Sequence, residues 1–430
     1  PTATLLDDEG SGSNAGNLLS NMWTQSSGTD TGADAEGSSV DPSVFTYDEG
    51  FNIGSGEDLS DGWTGVTNLN SGTGDFIPGT GFLAFMFAYR DPNDGTTEGF
   101  PETLTATGSV QAEENNGSAI NPPIDFTGGD GDGTANNGWN LIANPFMAPI
   151  DWESIENDGS GLNGVDATIY VWNPEKDDYD EYVAASSGTD GTNNGQGRYI
   201  APFQAFFVKA NGNASDPDIG GIDALDKNIN EGPELKSAGT STPQVALQLR
   251  AEGDTTGKTT AFRFTQDALT GKDAYDAFQL EPLGTSRTQV ASQMAGTDAL
   301  FAVQSRPVPA EADTIGLSLD ITEGGTYSLA ASAMQNLPGD WKVILENTDS
   351  GARWDLGAGE SATFSVEGTQ SKSTAEDVSP AALLKDGPTV AKASTDNGLP
   401  SYRLYVGPAA ALPVELASFE ATASGSAAQL

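Results

Sequence analysis

The sequence contains no cysteine and no histidine. Catalysis by Ser-His-Asp or Cys-His sets is therefore excluded, as are disulfide bonds and zinc sites with thiolate or imidazole ligands. Basic residues are also scarce, because 18 Lys and Arg stand against 62 Asp and Glu, which gives a formal net charge of -44. A field this negative repels phosphate backbones and anionic headgroups, so we expect no binding to nucleic acid.

Long apolar runs are missing as well. The longest, residues 82–89, is much shorter than the ~20 residues that cross a bilayer, so we expect no membrane insertion. Hydrophobic residues still make up 36% of the chain and include 18 Phe and 7 Trp, which is enough for packed cores. The acidic excess is spread over the whole length, and such a surface stays soluble in concentrated salt. We therefore expect a halophilic source.

The chain is rich in turn-forming residues, with 53 Gly and 23 Pro separating short runs of alternating polarity. Alternation places every second side chain on one face, as a half-buried antiparallel strand requires. The sequence therefore predicts an all-β fold of sandwich-like antiparallel sheets joined by long acidic, Gly-rich loops. The clearest alternating sets are Val245, Leu247, Leu249; Phe262, Phe264; Ile315, Leu317, Leu319, Ile321; Trp341, Val343, Leu345; Phe364, Val366; and Tyr402, Leu404, Val406.

A polar stretch between the two halves of the chain indicates two domains. We predict an N-terminal β region at residues 1–212, a linker at 213–242 and a C-terminal β-sandwich of about seven strands at 243–410. Residues 411–430 form an extended tail or a junction to a further domain.

The N-terminal region contains a weak internal repeat. Residues 44–48 correspond to 169–173, and residues 81–83 to 205–207, with each aromatic strand followed by a polar excursion and then an apolar strand. Two related units, at about 1–110 and 111–212, are therefore expected to pack together. In this alignment Pro1–Ala3 matches the position of Pro145, so the first unit begins one strand late.

Two acidic loops are candidate calcium sites. Asp130 and Asp132 alternate with glycine, and Asp91 and Asp94 lie in a second loop of the same kind. Calcium binds several oxygen ligands on flexible loops, although neither loop has the distal Glu of an EF-hand. Ordinary acidic turns are the alternative interpretation. Calcium is accordingly the one candidate cofactor.

The tryptophans allow two interpretations. Flat rings can stack on sugars, which would make surface glycans a partner, but aromatic residues in strand-like segments usually fill the core. The strand context favours the core. The residues concerned are Trp23, Trp63, Trp139, Trp152 and Trp172.

Carboxylate pairs of the kind that glycosidases use carry little information in this chain. With 62 acidic residues, some pairs lie at a suitable spacing by chance. Most acidic residues also stand beside Gly, Ser, Thr and Asn, in segments that read as solvated loops. We therefore predict that the chain is not an enzyme.

The end of the chain carries apolar residues with no obvious partner strand. Leu412, Val414, Leu416 and Phe419 are the candidate subunit-interface residues. The segment is either a linker or an extended strand that adds to the open sheet of another copy. A head-to-tail contact of this kind that does not close produces a filament.

Several motifs carry a resemblance to a known group of proteins. The segments are Gly138–Pro145, Ile150–Trp152, Ile169–Trp172, Ile200–Val208 and, most specifically, Ala411–Ala421. The first four resemble β-rich ectodomains of Bacteroidota-type secreted surface proteins, and the last is similar to the junction that precedes the sorting region of type IX secretion cargo. The resemblance implies export across the outer membrane and an extracellular or cell-surface location. The acidic composition suggests a hypersaline relative, such as those in the Rhodothermota.

Taken together, these features predict a non-enzymatic secreted structural protein. We expect a subunit of an extracellular filament or sheath that assembles with itself, head to tail, by β-strand addition. One alternative is a surface adhesin or glycan-binding protein, and a second is the accessory portion of a secreted hydrolase.

Overall fold

The structure is a computed structural model, and it describes part of the 430-residue chain. The described residues are 2–3, 44–49, 62–65, 79–85, 120–127, 137–157, 161–185, 191–222, 226, 242–282, 288–367, 390–393, 399–411, 422–424 and 427–429.

The described chain consists mainly of strands. Those before residue 212 are β1 (Thr2–Ala3), β2 (Val44–Tyr47), β3 (Trp63–Gly65), β4 (Gly81–Ala84), β5 (Trp139–Ala143), β6 (Ile150–Asp151), β7 (Thr168–Asn173), β8 (Asp178–Val183), β9 (Thr192–Asn194), β10 (Tyr199–Ile200) and β11 (Ala205–Lys209). A short helix, α1 (Trp152–Asn157), directly follows β6.

The second half continues in the same way. Its strands are β12 (Gln244–Ala251), β13 (Lys258–Thr265), β14 (Ala277–Phe278), β15 (Thr288–Gln293), β16 (Leu300–Pro307), β17 (Asp313–Ile321), β18 (Gly325–Gln335), β19 (Trp341–Asn347), β20 (Arg353–Asp355), β21 (Ala362–Val366), β22 (Tyr402–Pro408), β23 (Thr422–Ser424) and β24 (Ala427–Gln429). Two 3-10 turns occupy Leu356–Ala358 and Ala409–Ala411. The predicted all-β fold with antiparallel sheets is confirmed.

Three sheets are built from the described part of the first half, and the smallest of them is the pair of β10 and β6. In the described residues the first sheet has the order β1-β4-β2-β3, and the second has the order β5-β11-β7-β8-β9. The second sheet is buried on both faces: Ile142 and Phe206 face a core that includes α1, whereas Leu141 and Phe207 face the second half of the chain. Burial on both faces explains why β5 and β11 read as continuous apolar runs instead of alternating.

The second half forms one large sheet, in which the described residues contribute eleven strands. Its path is β20-β19-β22-β17-β15-β16-β13-β12-β18-β21, with β14 paired to β16, and β13 and β16 form its one described parallel pair. The sequence predicts about seven strands in a sandwich, but the sheet curls round one interior and comes close to a barrel. All the alternating sets predicted from the sequence pack in or against this interior.

The large sheet retains two edges. The edge strands β20 and β21 follow one another in the chain and are separated by residues 356–361. Leu356 of the intervening turn is buried against the interior, while Trp354 and Phe364 on the two edge strands are only half-buried. The described strands therefore leave an open seam between β20 and β21.

The second sheet stacks face to face on the outside of the large sheet. Phe207 and Tyr179 share one core cluster with Phe301, Val303 and other residues of β13, β14 and β16. Strand β16 is therefore buried on both faces, because Phe301 and Val303 meet the second sheet, whereas Leu300 packs in a small cluster with Ala291 and Ala391. Sheet-on-sheet packing of this kind places the two halves of the chain in direct contact.

The two N-terminal sheets pair corresponding residues. Phe45 lies opposite Leu83 in the first sheet, and Tyr170 opposite Phe207 in the second, so the strand order β4-β2-β3 matches β11-β7-β8. Thr2 lies opposite Phe82, in the place that β5 takes in the second sheet, which contradicts the alignment of Pro1–Ala3 with Pro145. The alignment was wrong because three residues offered too little pattern to fix a register.

The second unit extends into the predicted linker. Ile219 and Ile222 are buried in the core of that unit, and Ile222 pairs with Ile120. Residues 227–241 lie outside the described residues. Among the described residues, no helix combines the length and hydropathy needed to span a bilayer.

Candidate functional site: buried charges between the two sheets

The sites predicted from the sequence fall largely outside the described residues. This holds for the candidate calcium ligands Asp91, Asp94, Asp130 and Asp132, and for the candidate interface residues Leu412, Val414, Leu416 and Phe419. Within the described stretches, no three carboxylates lie close enough together to share a metal ion.

The end of the predicted tail is paired with itself. Thr422–Ser424 pairs antiparallel with Ala427–Gln429, so these residues form a hairpin instead of continuing as an extended strand. Residues 412–421, which carry the alternating apolar side chains, lie outside the described residues.

Four of the five candidate sugar-stacking tryptophans are described. Trp139 and Trp152 are fully buried, which confirms the core interpretation for both. Trp63 and Trp172 are half-buried and line an aromatic pocket with Phe207, and its free volume of about 20 Å³ holds about one water molecule. A pyranose ring does not fit there. Trp23 lies outside the described residues.

The interface between the second sheet and the large sheet contains buried ion pairs. Lys258 of β13 lies 3.3 Å from Asp178 of β8, and Gln289 of β15 donates to the same carboxylate at 3.3 Å. Lys258 also donates to the carbonyl oxygen of Lys176, in the turn between β7 and β8. Burial raises the pKa of Asp178 to about 6, although Lys258 opposes this shift. This group of contacts connects the two halves of the chain by charge.

A second set of contacts lies further along the same interface. Lys272 pairs with buried Asp166 at 2.6 Å, and the backbone N–H of Phe278 donates to the hydroxyl of Tyr170 at 2.9 Å. Buried Lys209 lies 5.3 Å from the ring centroid of Trp139, and burial lowers its pKa to about 8. These contacts extend the charged connection across several strands.

Glu153 at the start of α1 is held by donors from β8 and the following chain. Its Oε1 accepts hydrogen bonds from the hydroxyl of Tyr182 at 2.6 Å and from the backbone N–H groups of Ala185 and Gly191 at 3.0 and 2.8 Å. Burial raises its pKa, and these donors partly offset the shift. With three donors on one oxygen, the carboxylate serves to hold the ends of β8 and β9 together.

Glu181 on β8 is the most deeply buried carboxylate of this strand. Its side chain faces the large sheet and accepts a hydrogen bond from Asn194 of β9 at 2.7 Å. Burial raises its pKa well above the usual range, and Asp178 and Asp180 add to the shift. A carboxylate in this environment holds a proton or a cation far more readily than an exposed one does.

A polar groove opens where the turn between β7 and β8 approaches the hairpin between β12 and β13. Its volume is about 290 Å³, and its lining includes Lys176, Lys258 and Arg250 together with Asp254 and Glu323. Basic and acidic side chains both line the groove, so its electrostatic potential is not of one sign. The groove lies directly beside the Lys258–Asp178 pair.

Sequence reasoning missed this buried layer because it placed the acidic residues in solvated loops. The available signal was the segment Asp178–Val183, in which three carboxylates share a strand with two tyrosines and a valine. A second signal was the scarcity of basic residues. Where acidic residues are in such excess, a lysine at the start of a strand, such as Lys258, is expected to form an ion pair with a carboxylate.

The fold and this site define an acidic, all-β protein whose sheets are connected by buried charge. The chain belongs to the family described as Domain of unknown function (DUF8693), whose model matches residues 36–372. The match covers the second sheet, the first sheet except β1, and the large sheet except β22. No curated protein and no solved structure matches the chain.

Proposed function

We propose that this protein is a non-enzymatic, secreted structural subunit that forms an extracellular filament or sheath at the cell surface. Subunits join head to tail when residues 412–421 of one copy add as a strand to the large sheet of the next. The secretory location rests on the resemblance of the Ala411–Ala421 segment to a type IX junction.

The observation that carries the proposal is the open seam of the large sheet. Strand β21 pairs with β18 along one side from Gly325↔Val366 to Leu329↔Ala362, and no described strand pairs with its other side. An unpaired edge offers its backbone N–H and C=O groups to another strand. Added strands gain affinity from these main-chain hydrogen bonds.

Side chains at the seam suit an apolar strand. Phe364 on β21 and Trp354 on β20 pack against the interior but remain half-buried, so a strand between them would remove apolar surface from water. Val414 and Leu416 alternate with polar or small neighbours, which places both on one face of an added strand. That face would meet the interior of the near-barrel.

The absence of cysteine makes a direct test possible without background. In the bound strand, residues next to Leu416 face outward, as Thr363 and Ser365 do on β21. We therefore mix two single-cysteine variants, Ser365→Cys and Ala417→Cys, in molar salt under mild oxidation, and repeat the mixture with Thr363→Cys and Glu415→Cys to cover a shift in register. The mixture is expected to give disulfide-linked dimers that contain one chain of each kind.

Controls decide how the result is interpreted. Asp267→Cys, which lies on an exposed turn, replaces Ser365→Cys in a parallel mixture and is expected to give no heterodimer. A double variant, Ser365→Cys with Ala417→Cys, that closes only an intramolecular bond would contradict assembly, because the tail would then fill its own seam. Equal cross-linking of Asp267→Cys would also contradict the proposal.

A further inference from the structure

Four buried side-chain oxygens on one face of the second sheet lack hydrogen-bond partners among the described residues. They are Oε1 of Glu181, Oδ1 of Asn194 and the hydroxyls of Thr192 and Thr168. The residues are 1%, 4%, 1% and 0% exposed. Buried polar atoms normally have a partner, and an unpaired one marks a position where water or an ion belongs.

Strand register brings these oxygens together. Val183 of β8 lies opposite Thr168 of β7 on one side and Thr192 of β9 on the other, and Glu181 lies two residues along β8 on the same face. Asn194 lies two residues after Thr192 on β9 and therefore on the same face. Its Nδ2 donates a hydrogen bond to Glu181 Oε2 at 2.7 Å. This hydrogen bond orients both side chains, so that their unpartnered oxygens belong to one small polar patch.

The basic side chains that the structure describes near the patch are engaged with other acidic groups; for buried Arg263 that group is Glu153. Lys176 is paired with Asp180 at 2.5 Å, and Lys258 is paired with Asp178 at 3.3 Å. Both aspartates raise the pKa of Glu181, and Lys176 and the hydrogen bond from Asn194 only partly offset this shift, which is caused mainly by burial. An ionised carboxylate buried without compensation is strongly unfavourable, so Glu181 takes up either a proton or a bound cation.

We propose that Glu181, Asn194 and Thr192 bind a monovalent cation such as sodium between β8 and β9, with Thr168 at the margin of the site. Carboxylate, amide and hydroxyl oxygens are hard ligands that suit hard cations. One carboxylate balances one positive charge, whereas a calcium ion generally recruits several charged ligands. The proposal uses none of the candidate calcium ligands of the sequence analysis, and it does not depend on filament formation.

The test replaces choline chloride by sodium chloride at constant total ionic strength, so that screening of the acidic surface stays the same. Urea unfolding is followed for the wild-type chain, for Glu181→Gln and for Asp267→Asn, which removes an exposed charge of the same sign. A ligand that binds only the folded state stabilises it in proportion to the logarithm of its free concentration above its dissociation constant. For the wild type and for Asp267→Asn, the unfolding equilibrium constant is therefore expected to fall about tenfold for each tenfold rise in sodium concentration.

In Glu181→Gln this sodium dependence is expected to disappear. Thr192→Val keeps the carboxylate and is expected to weaken the dependence, so it provides a second test if Glu181→Gln does not fold. Equal stability of the wild type in sodium and choline at every pH would overturn the proposal and assign the charge balance to a proton on Glu181. Saturation of the effect by millimolar calcium would overturn the monovalent assignment.

Discussion

Phe207 lies at the centre of the aromatic packing between the first and second sheets, in a core cluster that also includes residues of the large sheet. Its side chain is 3% exposed. Ring centroids of Tyr47, Trp63, Tyr179 and Trp139 lie 5.3, 5.8, 6.2 and 6.4 Å from that of Phe207, all in edge-to-face geometry. Replacing Phe207 by alanine removes all four contacts at once.

The expected loss in the free energy of unfolding for Phe207→Ala is about 5 kcal/mol. Truncation of a buried phenylalanine costs about 3–5 kcal/mol, and edge-to-face pairs contribute about 0.5–1.5 kcal/mol each beyond burial, which puts this position at the upper end. The ring neighbours lie on strands of two sheets and cannot all collapse into the cavity, so little of the loss is recovered. A domain with total stability of about 5–15 kcal/mol would be close to unfolding.

The assay is urea unfolding in molar salt, followed by tryptophan fluorescence, with the slope of free energy against urea concentration compared between variants. Phe364→Ala is the matched control, because the same atoms are removed from a half-buried ring at the edge of the large sheet. We expect it to lose less than half as much as Phe207→Ala. A loss below about 2 kcal/mol for Phe207→Ala, or one equal to that of Phe364→Ala, would refute this packing arrangement.

Three further predictions concern the buried charges and one close backbone contact. Burial raises the pKa of Asp276 to about 7, so its folded-state value exceeds its unfolded one. The contribution of Asp276 to stability is therefore largest at low pH and falls as the pH rises from about 4 to 7. Asp276→Asn should remove this contribution from a pH series of urea unfolding curves. Lys258→Met leaves Asp178 without its cation and should lower the free energy of unfolding by about 3–5 kcal/mol. Adding Asp178→Asn should restore part of this loss, and no recovery would contradict the ion pair. Gly191→Ala should lower the thermal midpoint strongly, because a Cβ would lie 1.9 Å from a β8 carbonyl oxygen, whereas Gly271→Ala has open space around it and should leave the midpoint nearly unchanged.

Alternating polarity was sufficient to predict six of the eleven described strands of the large sheet: β12, β13, β17, β19, β21 and β22. Ile315, Leu317, Leu319 and Ile321 all face the same interior, as strict alternation requires. It could not predict how the sheet closes, because closure depends on the curl that brings β20 towards β21. It also gave no signal for strands with two buried faces, such as β16.

The buried charges could not be located from the sequence alone. With 62 acidic residues in the chain, nothing in the composition separates Glu181, which is buried between two sheets, from the exposed Asp267. Its position follows from the pairing of β8 with β7 and β9 and from the stacking of this sheet on the large one. Long-range register of this kind has no local sequence signature.

Electron microscopy of the full chain in molar salt tests the central claim, assembly through the seam of the large sheet, most directly. The account predicts ordered fibres with a repeat compatible with one 44.3 kDa subunit. It also predicts that deletion of residues 412–430 abolishes the fibres and leaves the urea unfolding curve of the monomer unchanged. Dispersed single particles at every protein concentration, or fibres that persist after the deletion, would contradict it.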